Sequence, residues 1–172
     1  GYLTDRQYGK NLGWPAFSPP PQDLDGLREQ LGLDPARPLW VLYTSSDDEV
    51  VAHAEWRGPF ARQLDWVERT VAYARGHGEL DLVIRVHPNT AGKRAHGNNA
   101  AQLGEFERLA QSLPGNTRLV MPDDAVSSYS LMDLATLGLV YHSTVGLEMA
   151  CQGKPVVVAA GGPVSSLPFV TT

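Results

Sequence analysis

A chain of 172 residues has the size of one ordinary domain and can bury a real core. Its 42% apolar and 19% charged residues exclude a disordered chain, and a net charge of −5 gives none of the dense basic surface that non-specific nucleic-acid binding needs. No apolar run is long enough for a transmembrane segment, and none reads as a signal peptide.

Residues 1–22 read as a lead-in or linker from a preceding domain. Ser18-Pro19-Pro20-Pro21 is incompatible with helix or central strand. Tyr2, Tyr8, Trp14 and Phe17 argue that part of the lead-in packs down. The domain proper is expected over 23–172.

Asp23 to Leu31 predicts a short helix with Leu24, Leu27 and Leu31 on one face and Gly32 as its stop. Leu39 to Thr44 is the first strand, continuous and apolar as a strand covered on both faces should be. A polar loop, Thr44-Ser45-Ser46-Asp47-Asp48-Glu49, follows. Pro59 is expected to open a helix to about Arg75, with Phe60, Leu64, Val67 and Val71 inward. Leu80 to Val86 is the second strand, ended by His87-Pro88-Asn89. After a loop with Gly92, Lys93, Arg94 and His96, a helix is expected from about Ala101 to Leu113, with Leu103, Phe106, Leu109 and Ala110 inward. Thr117 to Met121 is the third strand, and Ser127 or Ser128 starts a short helix through Leu134. Leu137 to Tyr141 is the fourth strand, Thr144 to Gln152 its helix, and Gly153 the stop. Pro155 to Ala159 is the fifth strand.

Strands alternating with helices in this way argue for a Rossmann-like α/β fold, a doubly wound parallel sheet of about five to six strands. The single cysteine, Cys151, rules out an internal disulfide framework, which fits a reducing cytoplasm. Its apolar helical setting points to packing rather than nucleophilic chemistry. The chain does not start with Met and stops just after a strand, which suggests a domain excised from a longer protein.

Ligands of open parallel sheets bind outside the carboxyl ends of the strands. Here those ends carry Thr44-Ser45-Ser46, His87-Pro88-Asn89, Pro122-Asp123-Asp124, His142-Ser143-Thr144 and Gly161-Gly162. Two histidines and many hydroxyls suit an anionic, sugar-like or nucleotide ligand. Ser143 or Thr144 is the expected N-cap of the helix that follows, and a helix start with unpaired N–H groups suits a phosphate. An ordinary capped strand–loop–helix reads the same way. Pro88 biases His87 towards an extended conformation, aiming the imidazole into the crevice, where it can donate to a phosphate oxygen. A histidine that merely ends a strand in water is the alternative. Glu148, one and a half helical turns after Ser143, is placed to reach back to ribose hydroxyls, or is an ordinary solvated glutamate.

Several signatures are missing. Gly92-Lys93-Arg94 lacks the upstream Gly and the Ser or Thr of a Walker loop, and no G-x-G-x-x-G follows the first strand. Around Ser143 both glycines of a nucleophile elbow are absent. The histidines have no zinc-site spacing, and the pairs Asp47-Asp48 and Asp123-Asp124 read as solvated loops, so no metal is expected.

Arg85-Val86-His87-Pro88 after one strand, His142-Ser143-Thr144-Val145-Gly146-Leu147-Glu148 before a helix, and then Gly153-Lys154-Pro155-Val156 resemble the C-terminal half of capsule-polysaccharide-type glycosyltransferases. These are GT-B enzymes and include bacterial Kdo transferases that use CMP-Kdo. Bacterial GT-B sialyltransferases and teichoic-acid-type polymerases carry related motifs. The resemblance covers about residues 23–162.

The resemblance implies that His87, Ser143 and Thr144 hold the donor phosphate. It implies that Thr44, Ser45, Ser46, Pro88, Asn89, His142, Val145, Gly146 and Glu148 surround the donor nucleotide or sugar. Gly153, Lys154 and Pro155 are structural in such proteins. The family's catalytic acid or base usually comes from an N-terminal domain absent from this chain, and residues 163–172 do not match the family well. The expected function is therefore donor binding, with a CMP-sugar co-substrate and no other cofactor. A glycan or glycolipid acceptor would be held by the missing domain, in a cytoplasmic protein for which peripheral association of the full-length form with the inner membrane stays open. A nucleotide-sugar epimerase half and a non-catalytic Rossmann binding module are the competing readings.

Overall fold

The computed structural model describes residues 5, 19–46, 58–91 and 98–161. In chain order the elements are α1 (Leu24–Leu31), β1 (Leu39–Tyr43), α2 (Gln63–Gly76), β2 (Asp81–Arg85), a 3-10 turn (Pro88–Thr90), α3 (Asn98–Ala110), β3 (Thr117–Val120), α4 (Ser128–Leu134), β4 (Leu137–Val140), α5 (Val145–Cys151) and β5 (Val156–Val158). All paired strands are parallel, in the order β3-β2-β1-β4-β5. This is the Rossmann-like α/β sheet the sequence predicts.

The strands are apolar runs because both their faces are covered. Pleating sends alternate residues into opposite cores. Val41, Tyr43, Val83 and Val140 join one core with residues of α1, α4 and α5. Leu42, Leu82, Ile84 and Leu139 join the other with α2 and α3. The chain therefore winds from β1 to β3 across one face and from β3 to β5 across the other. The direction of winding reverses between β1 and β4.

Local chemistry sets the element ends. The Asp23 carboxylate accepts the Gly26 N–H at 2.8 Å and caps α1. Gly32, with φ 60°, closes it in the left-handed conformation that favours glycine. The second helix starts at Gln63, not Pro59, because Asp65 accepts the Arg62 N–H at 3.1 Å and fixes the start there. Its inward residues are Gln63, Trp66, Val67, Val71 and Ala74, with Phe60 and Leu64 only partly buried.

Helix α3 begins and ends three residues earlier than the apolar pattern predicts. Its buried residues are Asn99, Gln102 and Phe106, while Ala110 is exposed. Cys151 is exposed rather than packed in the core. Gly153 takes φ 75°, and Lys154 donates to the carbonyls of Asp133 (2.7 Å) and Ala135 (2.9 Å) at the end of α4.

On the α2 face, an apolar groove of about 870 Å³ runs between α2 and the β4–β5 half of the sheet, lined by Trp40, Phe60, Trp66, Tyr73, Leu137 and Val157 among others. No helix among the described residues is long and apolar enough to cross a membrane.

Candidate functional site at the carboxyl ends of the strands

The reversal of winding between β1 and β4 places a crevice at their carboxyl ends. Thr44–Ser46 continue β1 there, and His142–Thr144 continue β4. His87 continues β2 on the far side of β1. Two strand spacings separate the ends of β2 and β4, about 10 Å.

His87 is held by its backbone on both sides. Its N–H donates to Thr44 Oγ1 at 2.9 Å. Its carbonyl accepts from the Thr90 N–H (3.0 Å) and the Thr90 hydroxyl (2.7 Å). Pro88 makes this possible by opening the 3-10 turn directly after the histidine. Burial, and then the Arg85 guanidinium, lower the His87 pKa to about 4. At neutral pH the imidazole is therefore uncharged, with one donor and one acceptor nitrogen.

This shift has a measurable consequence. An unfolded histidine titrates near 6.5, so the folded state binds fewer protons between that pH and about 4. The stabilising contribution is complete above the unfolded value and is lost as pH falls through the folded one. The expected loss through His87 is about 3 kcal/mol. Denaturant unfolding of the native chain and of His87→Gln at pH 7 and pH 4 checks it. The native chain should lose more stability on acidification than the variant, by about that amount.

The expected cap at the start of α5 divides between two residues. Thr144 occupies the cap position but has helical dihedrals (φ −61°, ψ −17°) and makes no side-chain cap bond. Ser143 Oγ instead accepts the Val145 N–H at 3.3 Å. The Ser143 carbonyl accepts from Gly146 N–H (3.1 Å), and the Thr144 carbonyl from Leu147 (3.0 Å) and Glu148 (3.2 Å). The first N–H groups of α5 are thus engaged within the turn, unlike the open helix start the sequence suggests. The Thr144 side chain is exposed, Ser143 and Val145 are half-buried, and Gly146 is buried.

Glu148 is 6% exposed and His142 8%, so Glu148 is not a solvated helix glutamate. His142 stands edge-on to Tyr141, with ring centroids 5.5 Å apart. Tyr43 donates its hydroxyl to the Ser128 carbonyl at 3.1 Å. Burial raises the Tyr43 pKa. Arg85 opposes the rise, and Asp133 and Glu148 add to it.

Thr44, Ser45 and Ser46 are buried rather than forming an open rim. The Ser45 N–H donates to Gln63 Oε1 at 2.6 Å. The Ser45 carbonyl accepts from Gln63 Nε2 and Gln102 Nε2, both at 2.9 Å. Pro88 is half-buried at the start of the 3-10 turn that also contains Asn89. Asp124 accepts the Met121 N–H at 2.7 Å and shapes the β3–α4 turn, with Asp123 exposed beside it. Asp47, Asp48, Lys93, Arg94, His96, Gly162 and residues 163–172 lie outside the described residues. Among the described residues, no group of three or more His, Cys, Asp or Glu side chains is arranged to hold a metal ion.

Sequence reasoning missed Arg85, Tyr43, Gln63 and Gln102 as parts of this end of the sheet. A visible signal existed for Arg85, a charge at the end of the apolar run Leu82-Val83-Ile84. Gln63 and Gln102 carry no such signal, because isolated glutamines in helices are ordinarily surface residues.

No protein-family model matches this sequence, and no curated protein sequence matches it. Solved structures do resemble the fold. UDP-GlcNAc 2-epimerase from Neisseria meningitidis, in a structure bound to UDP-GlcNAc, aligns with a TM-score of 0.54 at 12% identity, over 86% of this chain and 35% of its own. The KpsC β-Kdo 2,7-transferase of Thermosulfurimonas dismutans aligns with a TM-score of 0.53 at 15% identity, over 86% of this chain and 43% of its own. This chain spans less than half the length of either. At these identities the likeness is one of fold, a Rossmann-like domain of the GT-B type.

Proposed function

We propose that this chain is the donor-nucleotide-binding domain of a GT-B glycosyltransferase that builds bacterial surface polysaccharide. The observation that carries the reading is the reversal of winding between β1 and β4, because such sheets bind ligands outside the strand ends at that point, and the ends of β1, β2 and β4 here lead into Thr44–Ser46, His87 and His142–Thr144. In this reading His87, Ser143 and Thr144 hold the phosphate of the nucleotide sugar. Glu148 lies by the nucleotide, with Thr44, Ser45, Ser46, Pro88, Asn89, His142, Val145 and Gly146 forming the walls. Neutral hydrogen-bond donors fixed before the ligand arrives stabilise the charge that develops on a leaving nucleotide. The chemistry needs no metal and no cofactor beyond the co-substrate.

A CMP-sugar such as CMP-Kdo is the first choice of donor, on the strength of the resemblance to Kdo transferases alone, since no residue here visibly reads cytosine. The acceptor, a glycan or glycolipid, and the catalytic acid or base belong to a preceding domain joined through residues 1–22. The full protein acts in the cytoplasm, at or near the inner membrane.

One observation favours a second reading, the UDP-GlcNAc 2-epimerase among the structural neighbours. Incubating the full-length protein separately with CMP-Kdo plus glycan acceptor and with UDP-GlcNAc separates the two. Transfer of Kdo supports the proposal. Formation of the 2-epimer without transfer replaces it with the epimerase reading.

A further inference from the structure

We infer that Arg85 is a positioning residue for the anionic part of the ligand: it supplies the fixed positive charge behind the strand ends and locks the β3–α4 connection that walls them. The inference rests on the nucleotide-binding reading above.

Arg85 is the last residue of β2 and is 2% exposed, the only buried lysine or arginine among the described residues. Its Nε donates to Ser128 Oγ at 3.2 Å, and its Nη1 to the Met121 carbonyl. Nη2 is buried and has no hydrogen-bond partner among the described residues. No described carboxylate makes an ion pair with the guanidinium. Burial lowers the pKa of Arg85, opposed by Asp124, Tyr43 and Asp123, but arginine remains a cation throughout the working range.

An unpaired buried cation is strongly unfavourable, and proteins ordinarily pair it or exclude it. Among the described residues, the acids that act on it directly are Asp124 and Asp123, and neither forms an ion pair with it. Asp123 and Asp124, on the β3–α4 connection, are exposed and so screened by water. Glu148 on α5 and Asp133 on α4 act on Tyr43, the β1 residue that neighbours Arg85 in register. His87, two residues beyond the end of β2, is uncharged at neutral pH and adds hydrogen bonds but no charge. Among the described residues, the buried positive charge at this end of the sheet is therefore that of Arg85, and a phosphate is the kind of group that would complement it.

The same side chain has a mechanical part. Arg85 and Tyr43 both reach Ser128, at the start of α4. Gln22 grips the connection from outside. It accepts the Ser127 N–H at 2.8 Å, donates its amide to the Ala125 carbonyl at 3.1 Å, and donates its own backbone N–H to Ser130 Oγ at 2.7 Å. The stretch from Met121 to Ser130 is thereby held against the ends of β1 and β2.

Two variants of the full chain separate charge from packing. Arg85→Met keeps bulk and removes the charge, and Arg85→Lys keeps the charge and loses the forked hydrogen bonds. The readouts are CMP and UMP affinity by calorimetry, the His87 imidazole titration by NMR in ligand-free protein, and the far-UV spectrum for folding. The expected results are at least a tenfold loss of nucleotide affinity in Arg85→Met, with the His87 midpoint raised, and affinity within about threefold of the native chain in Arg85→Lys, with the midpoint still low. Native affinity in a folded Arg85→Met overturns the inference. So does equal loss in both variants with an unmoved His87 midpoint, which would make Arg85 purely structural. If Arg85→Met does not fold, Arg85→Lys decides, and loss of binding in the folded Lys variant overturns the inference. If the native chain binds neither nucleotide, the nucleotide reading itself falls and takes this inference with it.

Discussion

Phe106→Ala should destabilise the fold by about 3–5 kcal/mol, a large share of the roughly 5–15 kcal/mol that holds a domain together. Phe106 is 1% exposed and joins Leu82, Ile84, Val86 and Trp66 in the core under α2 and α3. The other two buried residues of α3, Asn99 and Gln102, are polar, and Leu109 is only partly buried. Phe106 is thus the main apolar anchor of the helix. Removing its ring leaves a cavity that the rigid sheet beneath cannot fill by collapse. The effect should travel, because Gln102 of the same helix holds the Ser45 carbonyl at the end of β1. Denaturant unfolding measures it, and a loss below about 1 kcal/mol would show that α3 is anchored elsewhere.

Among binding-site variants, His87→Ala should weaken nucleotide binding about tenfold to a hundredfold. A hydrogen bond to a charged phosphate is worth about 1.5–3 kcal/mol. The two hydroxyls of the β4 end should then part company. Ser143→Ala removes the acceptor for the Val145 N–H and should cost about 1 kcal/mol of stability as well as affinity. Thr144→Ala removes an exposed hydroxyl that caps nothing, so it should reduce affinity and leave the unfolding midpoint unchanged. Calorimetric titration and thermal melts of the three variants check this pattern. Unchanged affinity in His87→Ala would remove it from the phosphate site.

The sheet was legible because each strand is a continuous apolar run closed by polar or turn residues. A strand covered on both faces admits little else: Val41, Leu42, Leu82, Val83 and Ile84 are fully buried. The glycine stops at Gly32 and Gly153 were legible for the same kind of reason, since both need positive φ. The helix edges were not. Pro59 reads as a helix opener, but the Asp65–Arg62 bond sets the start of α2 later. Apolar periodicity put Leu103 and Ala110 inside α3, whereas the buried stripe includes Gln102 because Ser45 needs a donor there. Strand-end chemistry followed from position along the chain, but burial did not. Nothing local to Thr44–Ser46 says that Gln63 and Gln102 engage its backbone, and nothing local to Glu148 says that it is buried. Those facts depend on residues distant in sequence.

The central claim is that this domain binds a nucleotide. Titrating the chain with CMP, UMP, CDP and UDP by calorimetry tests it most directly. The account predicts saturable binding, with CMP the strongest of the monophosphates. A flat response to all four would contradict it and leave a Rossmann-like module used for binding or assembly of another kind.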